Sequence, residues 1–146
     1  MTEVVFGNYS FRIETRDDQR FIFDEVRKKM VVLTSEEWVR QHIIHYLLFD
    51  KHYPRSLLAV EKGININGLK RRFDLVVFSR AGSPKIIIEC KAPEEPLNEK
   101  VYHQIAVYNL SLQADYLWVT NGALHYLCKL QLPLTFLHHV PEYEDL

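Results

Sequence analysis

Three charged residues with the chemistry of a hydrolytic site lie close together in the sequence: Asp74, Glu89 and Lys91. They border two apolar runs, 75–78 and 86–88, that are typical of β-strands joined by a Gly-Ser-Pro turn. A hairpin brings its outer ends together, and Glu89 and Lys91 point to the same face because side chains alternate along a strand. Charge at the end of a buried strand is costly unless it is paired or binds something, so this edge is a candidate site.

The order of these residues is itself a recognisable pattern. An Asp followed one strand later by Glu-x-Lys resembles the signature of the PD-(D/E)XK nucleases. The surrounding sequence resembles the N-terminal nuclease domain of type I restriction enzyme R subunits over about 24–130, through EEWVRQ, RFDLVVF, IIIECKAP, QIAVY and TNG. This resemblance implies a restriction-endonuclease-like α/β core that cuts DNA phosphodiester bonds.

The residue types suit that reaction. Hydrolysis of a phosphodiester needs a nucleophilic water and neutralisation of developing charge, and Mg²⁺, with Mn²⁺ as a substitute, supplies both when carboxylates hold it. Asp74 and Glu89 are hard oxygen ligands, and the backbone carbonyl of Cys90 is expected to add a third. Lys91 would orient the water and stabilise charge. The alternative is a purely structural ion pair of Lys91 with Asp74 or Glu89.

A helix before the triad carries further acids. Thr34 or Ser35 is the expected N-cap, and the helix should run to about residue 49 with an apolar stripe of Val39, Ile43, Tyr46 and Leu47. The family has an acid here that completes the metal site. Glu36 is favoured because it falls on the stripe, whereas Glu37 lies toward the flank, but both remain open. Arg40 is either the ion-pair partner of Glu36 or a DNA contact.

A second helix is predicted over about 98–113, after the breaks at Pro93 and Pro96. Its Gln104 and Tyr108 form a Gln-x-x-x-Tyr pattern, which resembles a motif of the subgroup that includes bacterial recombination exonucleases. In that subgroup the Gln reaches toward the metal or the DNA backbone, so Gln104 is a candidate catalytic residue and Tyr108 a candidate DNA contact. The predicted buried stripe is Val101, Ile105, Tyr108 and Leu112.

Basic residues lead directly into the strand that carries Asp74. Lys70, Arg71 and Arg72 are therefore candidate contacts to DNA phosphates, although a solvated turn is as consistent with this run, as it is with the run 27–29. A formal net charge of −1 argues against a protein that coats nucleic acid non-specifically.

The predicted architecture is a single α/β domain with a central mixed sheet of four to five strands. The element order is α-β-β-β-α-β-β, with N-terminal strands in 1–33, the catalytic core in 34–130 and a loosely held tail in 131–146. A turn is expected at 65–68. Asn121-Gly122 predicts a two-residue hairpin, and the crossover helix makes the following strand parallel to its neighbour.

Composition narrows the class of protein. A length of 146 residues with 47% hydrophobic and 25% charged residues is typical of one globular domain. Cys90 and Cys128 fall in strand patterns and predict no disulfide, and both Trp38 and Trp118 are expected in the core. The chain carries neither a membrane-length apolar run nor a signal-peptide pattern, so a cytoplasmic protein is expected.

Two functions from different classes remain open. The first is a Mg²⁺-dependent deoxyribonuclease, either stand-alone or working with motor or specificity subunits or as a homodimer. The second is a catalytically silent DNA-binding or assembly module that keeps the same fold. The intact triad favours the nuclease, and a turnover assay separates the two.

Overall fold

Nine β-strands in two sheets, with two α-helices, make up the computed structural model, which describes residues 1–66 and 68–146. Asn67, inside the turn predicted at 65–68, lies outside the described residues. In chain order the elements are β1 Ile13–Arg16, β2 Gln19–Asp24, β3 Lys29–Val32, α1 Ser35–His45, β4 Leu58–Ile66, β5 Leu69–Phe78, β6 Pro84–Cys90, α2 Glu99–Tyr108, β7 Tyr116–Thr120, β8 His125–Lys129 and β9 Thr135–Phe136.

The N-terminal segment forms its own three-stranded antiparallel sheet in the order β1-β2-β3. Asp17 and Asp18 both adopt positive φ, 49° and 63°, and so make the tight turn between β1 and β2 that their residue types predicted. The first of the strands predicted in 1–33 begins only at Ile13. The aromatic residues before it contact α1 instead, through ring pairs of Tyr9 and Phe11 with His45.

The larger sheet has six strands in the order β4-β5-β6-β7-β8-β9. Among the named strands of the described residues, β6 and β7 are the one parallel pair, because α2 carries the chain back across the sheet between them. The mixed sheet and the element order are therefore as predicted. The sixth strand, β9, comes from the segment expected to be a loose tail and pairs with β8.

Helix α1 covers one face of this sheet. The Thr34 hydroxyl caps it by accepting a hydrogen bond from the Glu37 amide at 3.0 Å, as its residue type predicted. The predicted stripe is buried, and the regular helix ends at His45 rather than near residue 49. A single π-helical turn, Tyr46–Asp50, follows and keeps Leu47 in the core.

Helix α2 covers the opposite face and is shorter than predicted, Glu99–Tyr108, with Asn98 as its N-cap. Its buried residues are Tyr102 and Ala106, so the predicted stripe through Val101, Ile105 and Tyr108 was wrong by about one residue. Tyr102 can occupy the buried position because its hydroxyl donates a hydrogen bond to the Leu117 carbonyl at 3.1 Å. A buried tyrosine hydroxyl needs such a partner.

The sheet thus separates two hydrophobic clusters, one under α1 and one under α2. Trp118 is fully buried in the first, as predicted. Trp38 was also expected in the core but is 38% exposed, where it packs on Phe11 and His42 at the surface of α1. Cys90 and Cys128 are buried, free thiols.

The last segment is packed against the domain, contrary to expectation. Val140 is buried, and the hydroxyls of Tyr53 and Tyr143 bond the backbone at Pro141 and Phe78. Residues 121–124 also form a four-residue loop between Thr120 and His125, not a two-residue hairpin. The Asn121 side chain closes that loop by accepting amide hydrogen bonds from Ala123 and Leu124. None of the helices in the described residues is both long and apolar enough to span a membrane.

Candidate functional site

The central strands bring Asp74 and Glu89 to the same edge of the sheet. Leu75 of β5 pairs with Ile88 of β6, which places Asp74 and Glu89 across from each other at the next position. Oδ2 of Asp74 accepts a hydrogen bond from the Cys90 amide at 2.8 Å. Lys91 follows β6 directly, and its amide donates to the Thr120 carbonyl of β7 at 2.7 Å. Backbone pairing therefore holds all three triad residues in one place.

Glu89 is partly buried, with one acidic and two basic side chains around it. Burial is the main reason that the pKa of its carboxyl is raised, and the Asp74 carboxylate raises that pKa further. Lys91 and Arg71 act in the opposite direction, since a nearby positive charge favours the ionised carboxylate. The two acids thus repel each other and the neighbouring cations oppose that repulsion, so burial is what leaves the pKa of Glu89 raised.

Glu36 is an exposed residue in the first turn of α1 and belongs to the same electrostatic environment. Its pKa is raised first by burial and then by the Asp74 and Glu95 carboxylates, whereas Lys91 and Arg40 lower it. Glu36 is thus the acid of α1 that interacts electrostatically with the triad. Glu95, from the segment between Pro93 and Pro96, joins it there.

Glu37 is the buried acid of α1, although Glu36 was expected to be. Its two carboxylate oxygens accept hydrogen bonds from Arg27 at 2.9 Å, from Arg40 at 2.9 Å and from Gln41 at 3.1 Å. A carboxylate with that many charged donors is occupied within the protein. Glu37 therefore has a structural role, and its neighbour Glu36 remains open toward the triad.

Arg40 is likewise not where a DNA contact would be. It was predicted either to pair with Glu36 or to bind DNA, but it is only 9% exposed and pairs with Glu37. Its Nη1 reaches the Asp74 carbonyl at 3.5 Å. The helical spacing of three residues explains why Glu37 is its partner. Arg40 acts inside the protein, behind the candidate site.

The donor set of the site fits a hard divalent cation by chemistry. Asp74, Glu89 and Glu36 offer carboxylate oxygens, which Mg²⁺ and Mn²⁺ prefer, and the repulsion among them is the kind that a cation relieves. Across residues 1–66 and 68–146, however, no three His, Cys, Asp or Glu side chains are gathered closely enough to ligate one ion. The case for a cation therefore rests on the type of the donor atoms and on the repulsion between the carboxylates.

Two of the residues predicted to contact DNA, Arg71 and Tyr108, pack against each other, and Arg71 lies near Glu89. The Arg71 guanidinium stacks between two rings, 4.6 Å from the Tyr108 centroid and 5.3 Å from that of Phe73. Tyr108 is 71% exposed at the end of α2, and Gln104, one turn earlier, is also exposed. Lys70 and Arg72 are exposed on β5, where Arg72 pairs with Glu61 at 3.0 Å.

Sequence reasoning missed the residues behind Asp74. Asp24 is fully buried, and Arg27 links it to Glu37, although the run 27–29 was considered only as a solvated turn or a phosphate contact. The available signal was an Asp that ends an apolar strand with Arg three residues later, a pattern that caps a turn. Glu61, exposed on β4, contacts the same network through Arg40 at 3.7 Å.

Comparison with known proteins identifies the family and supports the fold. The family described as type I restriction enzyme R protein N terminus (HSDR_N) matches residues 35–141. A crystal structure of a DUF820 protein from Anabaena variabilis, provisionally described as a nuclease, superposes with a TM-score of 0.52 at 12% sequence identity. The superposition covers 85% of this chain and 83% of that one, and at such low identity it supports the fold alone. No curated protein matches the sequence.

Proposed function

The chain belongs to the family of type I restriction enzyme R protein N termini, and on that premise we propose that it is a metal-dependent nuclease that hydrolyses DNA phosphodiester bonds. The observation that carries the proposal is the meeting of Asp74, Glu89 and Lys91 at one sheet edge, with Asp74 tied to the Cys90 amide. Family membership supplies the reaction class, and these residues supply the groups that the reaction needs.

Asp74 and Glu89 would hold the cation, with Glu36 as the acid that approaches from α1. Oδ2 of Asp74 already accepts a hydrogen bond from the Cys90 amide, so Oδ1 of Asp74 is the oxygen that would remain for a metal. The carbonyl of Cys90 stays a proposed third ligand. Mg²⁺ bound there would polarise the phosphate and lower the pKa of an attacking water, and Mn²⁺ would serve the same purpose.

Lys91 would act on the substrate rather than on the cation. Its ammonium lies close enough to Glu89 and Glu36 to lower the pKa of both carboxyls. A positive charge held there is in position to orient a water and to stabilise negative charge as it develops on the phosphate. Lys91 is therefore proposed as a catalytic residue with an electrostatic role.

The flank beside the triad would receive the DNA backbone. Lys70 and Arg72 are exposed cations on the strand that carries Asp74, and Arg71 and Tyr108 form a stacked pair beside Glu89. Phosphate contacts of this kind position nucleic acid without reading its sequence. Gln104 is proposed to contact the bound backbone from α2. Motor or specificity subunits, or a second copy of the chain, are the proposed partners.

A turnover assay tests the proposal. Purified protein should nick supercoiled DNA or degrade linear DNA in Mg²⁺ or Mn²⁺ and be inactive in EDTA. Lys91→Ala should lower the rate by about a hundredfold, the scale of losing one preorganised electrostatic group. Lys85→Ala is the matched control. Lys85 lies near the start of β6, the strand that Lys91 follows, but it pairs with Asp115 at the surface.

The outcomes separate the two functions considered. Equal rates for wild type and Lys91→Ala would refute the catalytic assignment. A wild type that binds DNA but cleaves no single-stranded, duplex or supercoiled form would favour the DNA-binding or assembly module.

A further inference from the structure

The pairing of β4 with β5 is interrupted at Asp74. Val60 pairs with Leu75 and Lys62 with Phe73, and in the described part of these strands the ladder passes over the position where Glu61 faces Asp74. Glu61 has a φ of 52°, in the left-handed region that a glutamate rarely adopts. A backbone conformation of this kind persists only where surrounding contacts hold it.

Arg40 occupies the interrupted position. Its Nη1 lies 3.5 Å from the Asp74 carbonyl and 3.7 Å from Oε1 of Glu61, so one guanidinium reaches both strands where their pairing is broken. Its Nε donates to Glu37 at 2.9 Å, which fixes the guanidinium from the helix side. Arg40 thus connects α1 to the backbone of the residue that carries the candidate ligand.

Arg27 anchors this arrangement from the N-terminal sheet. It uses three different nitrogens, with Nε 2.6 Å from Asp24, Nη2 2.9 Å from Glu37 and Nη1 3.5 Å from Glu61. Asp24 has no exposed surface and also accepts the amides of Val26 and Arg27. Because each acid lies on a different element, Arg27 joins β2, α1 and β4 at a single point.

We propose that Arg27 is a positioning residue that holds Asp74 in place through Glu37, Glu61 and Arg40. The N-terminal sheet then forms part of the site, although it precedes the residues that match the family, 35–141. The importance of Arg27 for catalysis rests on the proposed function. Its effect on the position of Asp74 does not depend on that function. A planar fork with separate donors is required, so lysine cannot replace Arg27.

Hydrogen exchange in the metal-free protein tests the inference directly. The Cys90 amide donates to Asp74, so its exchange rate reports whether that carboxylate stays in place. In Arg27→Met and Arg27→Lys, Cys90 should exchange about tenfold faster or more relative to the amides of β7 and β8, which report global unfolding. Arg16→Met is the control, because Arg16 lies on the same sheet but pairs with Glu14 at the surface and packs on the Phe21 ring, away from Asp24, Glu37 and Glu61.

A purely structural Arg27 would give a different result. Exchange at Cys90 would then change in proportion to exchange in β7 and β8, or not at all, and the inference would be overturned. If Arg27→Met does not fold, the same comparison in Arg27→Lys decides. The shift in melting temperature on adding Mg²⁺ should also be smaller in the Arg27 variants than in Arg16→Met. If wild type shows neither such a shift nor cleavage, the proposed function fails while the exchange comparison still decides the positioning role.

Discussion

The side chain of Asp74 accepts a hydrogen bond from the backbone amide of Cys90 across the two central strands, at 2.8 Å. This contact ties the first candidate ligand to the residue between the other two members of the triad. If this carboxylate both accepts a backbone hydrogen bond and binds a metal, its effect on the stability of the protein depends on whether the metal is present. Variants of Asp74 can therefore separate the two roles.

Asp74→Asn should be as stable as wild type in EDTA, or more stable by about 1 kcal/mol, because it keeps an acceptor for the Cys90 amide and removes a repelling charge. Asp74→Ala should lose about 1–3 kcal/mol, since the amide then loses its acceptor. With about 10 mM Mg²⁺ and roughly millimolar affinity, wild type should gain ~1.4 kcal/mol and overtake Asp74→Asn. Melting curves of the three proteins in EDTA and in Mg²⁺ measure this. A large loss for Asp74→Asn in EDTA, with no Mg²⁺ shift in wild type, would refute the metal site.

Glu89→Gln should stabilise the metal-free protein at neutral pH and have little effect in acid. Burial raises the pKa of Glu89 above its usual 4.5, so the folded protein holds this proton more tightly than the unfolded chain does. The stability that the protonated carboxyl contributes is present below pH 4.5 and is lost as pH rises through the folded pKa. The difference in melting temperature between Glu89→Gln and wild type should therefore grow from pH 4 to pH 7 in EDTA. A melting-temperature difference that stays constant with pH would show that ionisation of Glu89 does not destabilise the folded protein.

Glu37→Ala should destabilise the protein by about 3–5 kcal/mol, because it leaves Arg27 and Arg40 without their shared acid inside the protein. Glu14→Ala is the matched control. Glu14 also binds two arginines, but at the surface, where such pairs are worth less than about 1 kcal/mol. Urea denaturation of both variants gives the comparison. Equal losses would mean that the buried network adds nothing beyond surface pairing.

Arg72→Ala should weaken DNA binding and lower the slope of log K against log salt by about one, as expected for the loss of one phosphate contact. Arg80→Ala is the control, since Arg80 is also exposed but lies just beyond the other end of β5, where it pairs with Glu144. Binding is measured in EDTA, so that cleavage does not interfere, at several salt concentrations. An unchanged slope would remove Arg72 from the DNA-binding surface.

Local sequence was enough to predict the central strands and the site edge that they form. The apolar runs around 75–78 and 86–88 have no other stable position than the sheet interior, and the period of two then determines which face Glu89 and Lys91 share. The Thr34 cap and the first apolar stripe were predictable for the same reason. Each depends only on residues within a turn or two of chain.

Long-range competition decided the rest. Glu36 and Glu37 are adjacent and chemically identical, and Glu37 is the buried acid because Arg27, which comes from a separate sheet, pairs with it together with Arg40 and Gln41 of its own helix. The burial of Arg40 behind Asp74 depends on that same ion pair and on the interrupted ladder at Glu61. In α2, the partner of the Tyr102 hydroxyl on β7 selected the buried face. The sequence by itself thus determined which residues form the candidate site, and the tertiary structure decided which charges hold it in place, because a buried charge is placed by partners that are distant in the chain.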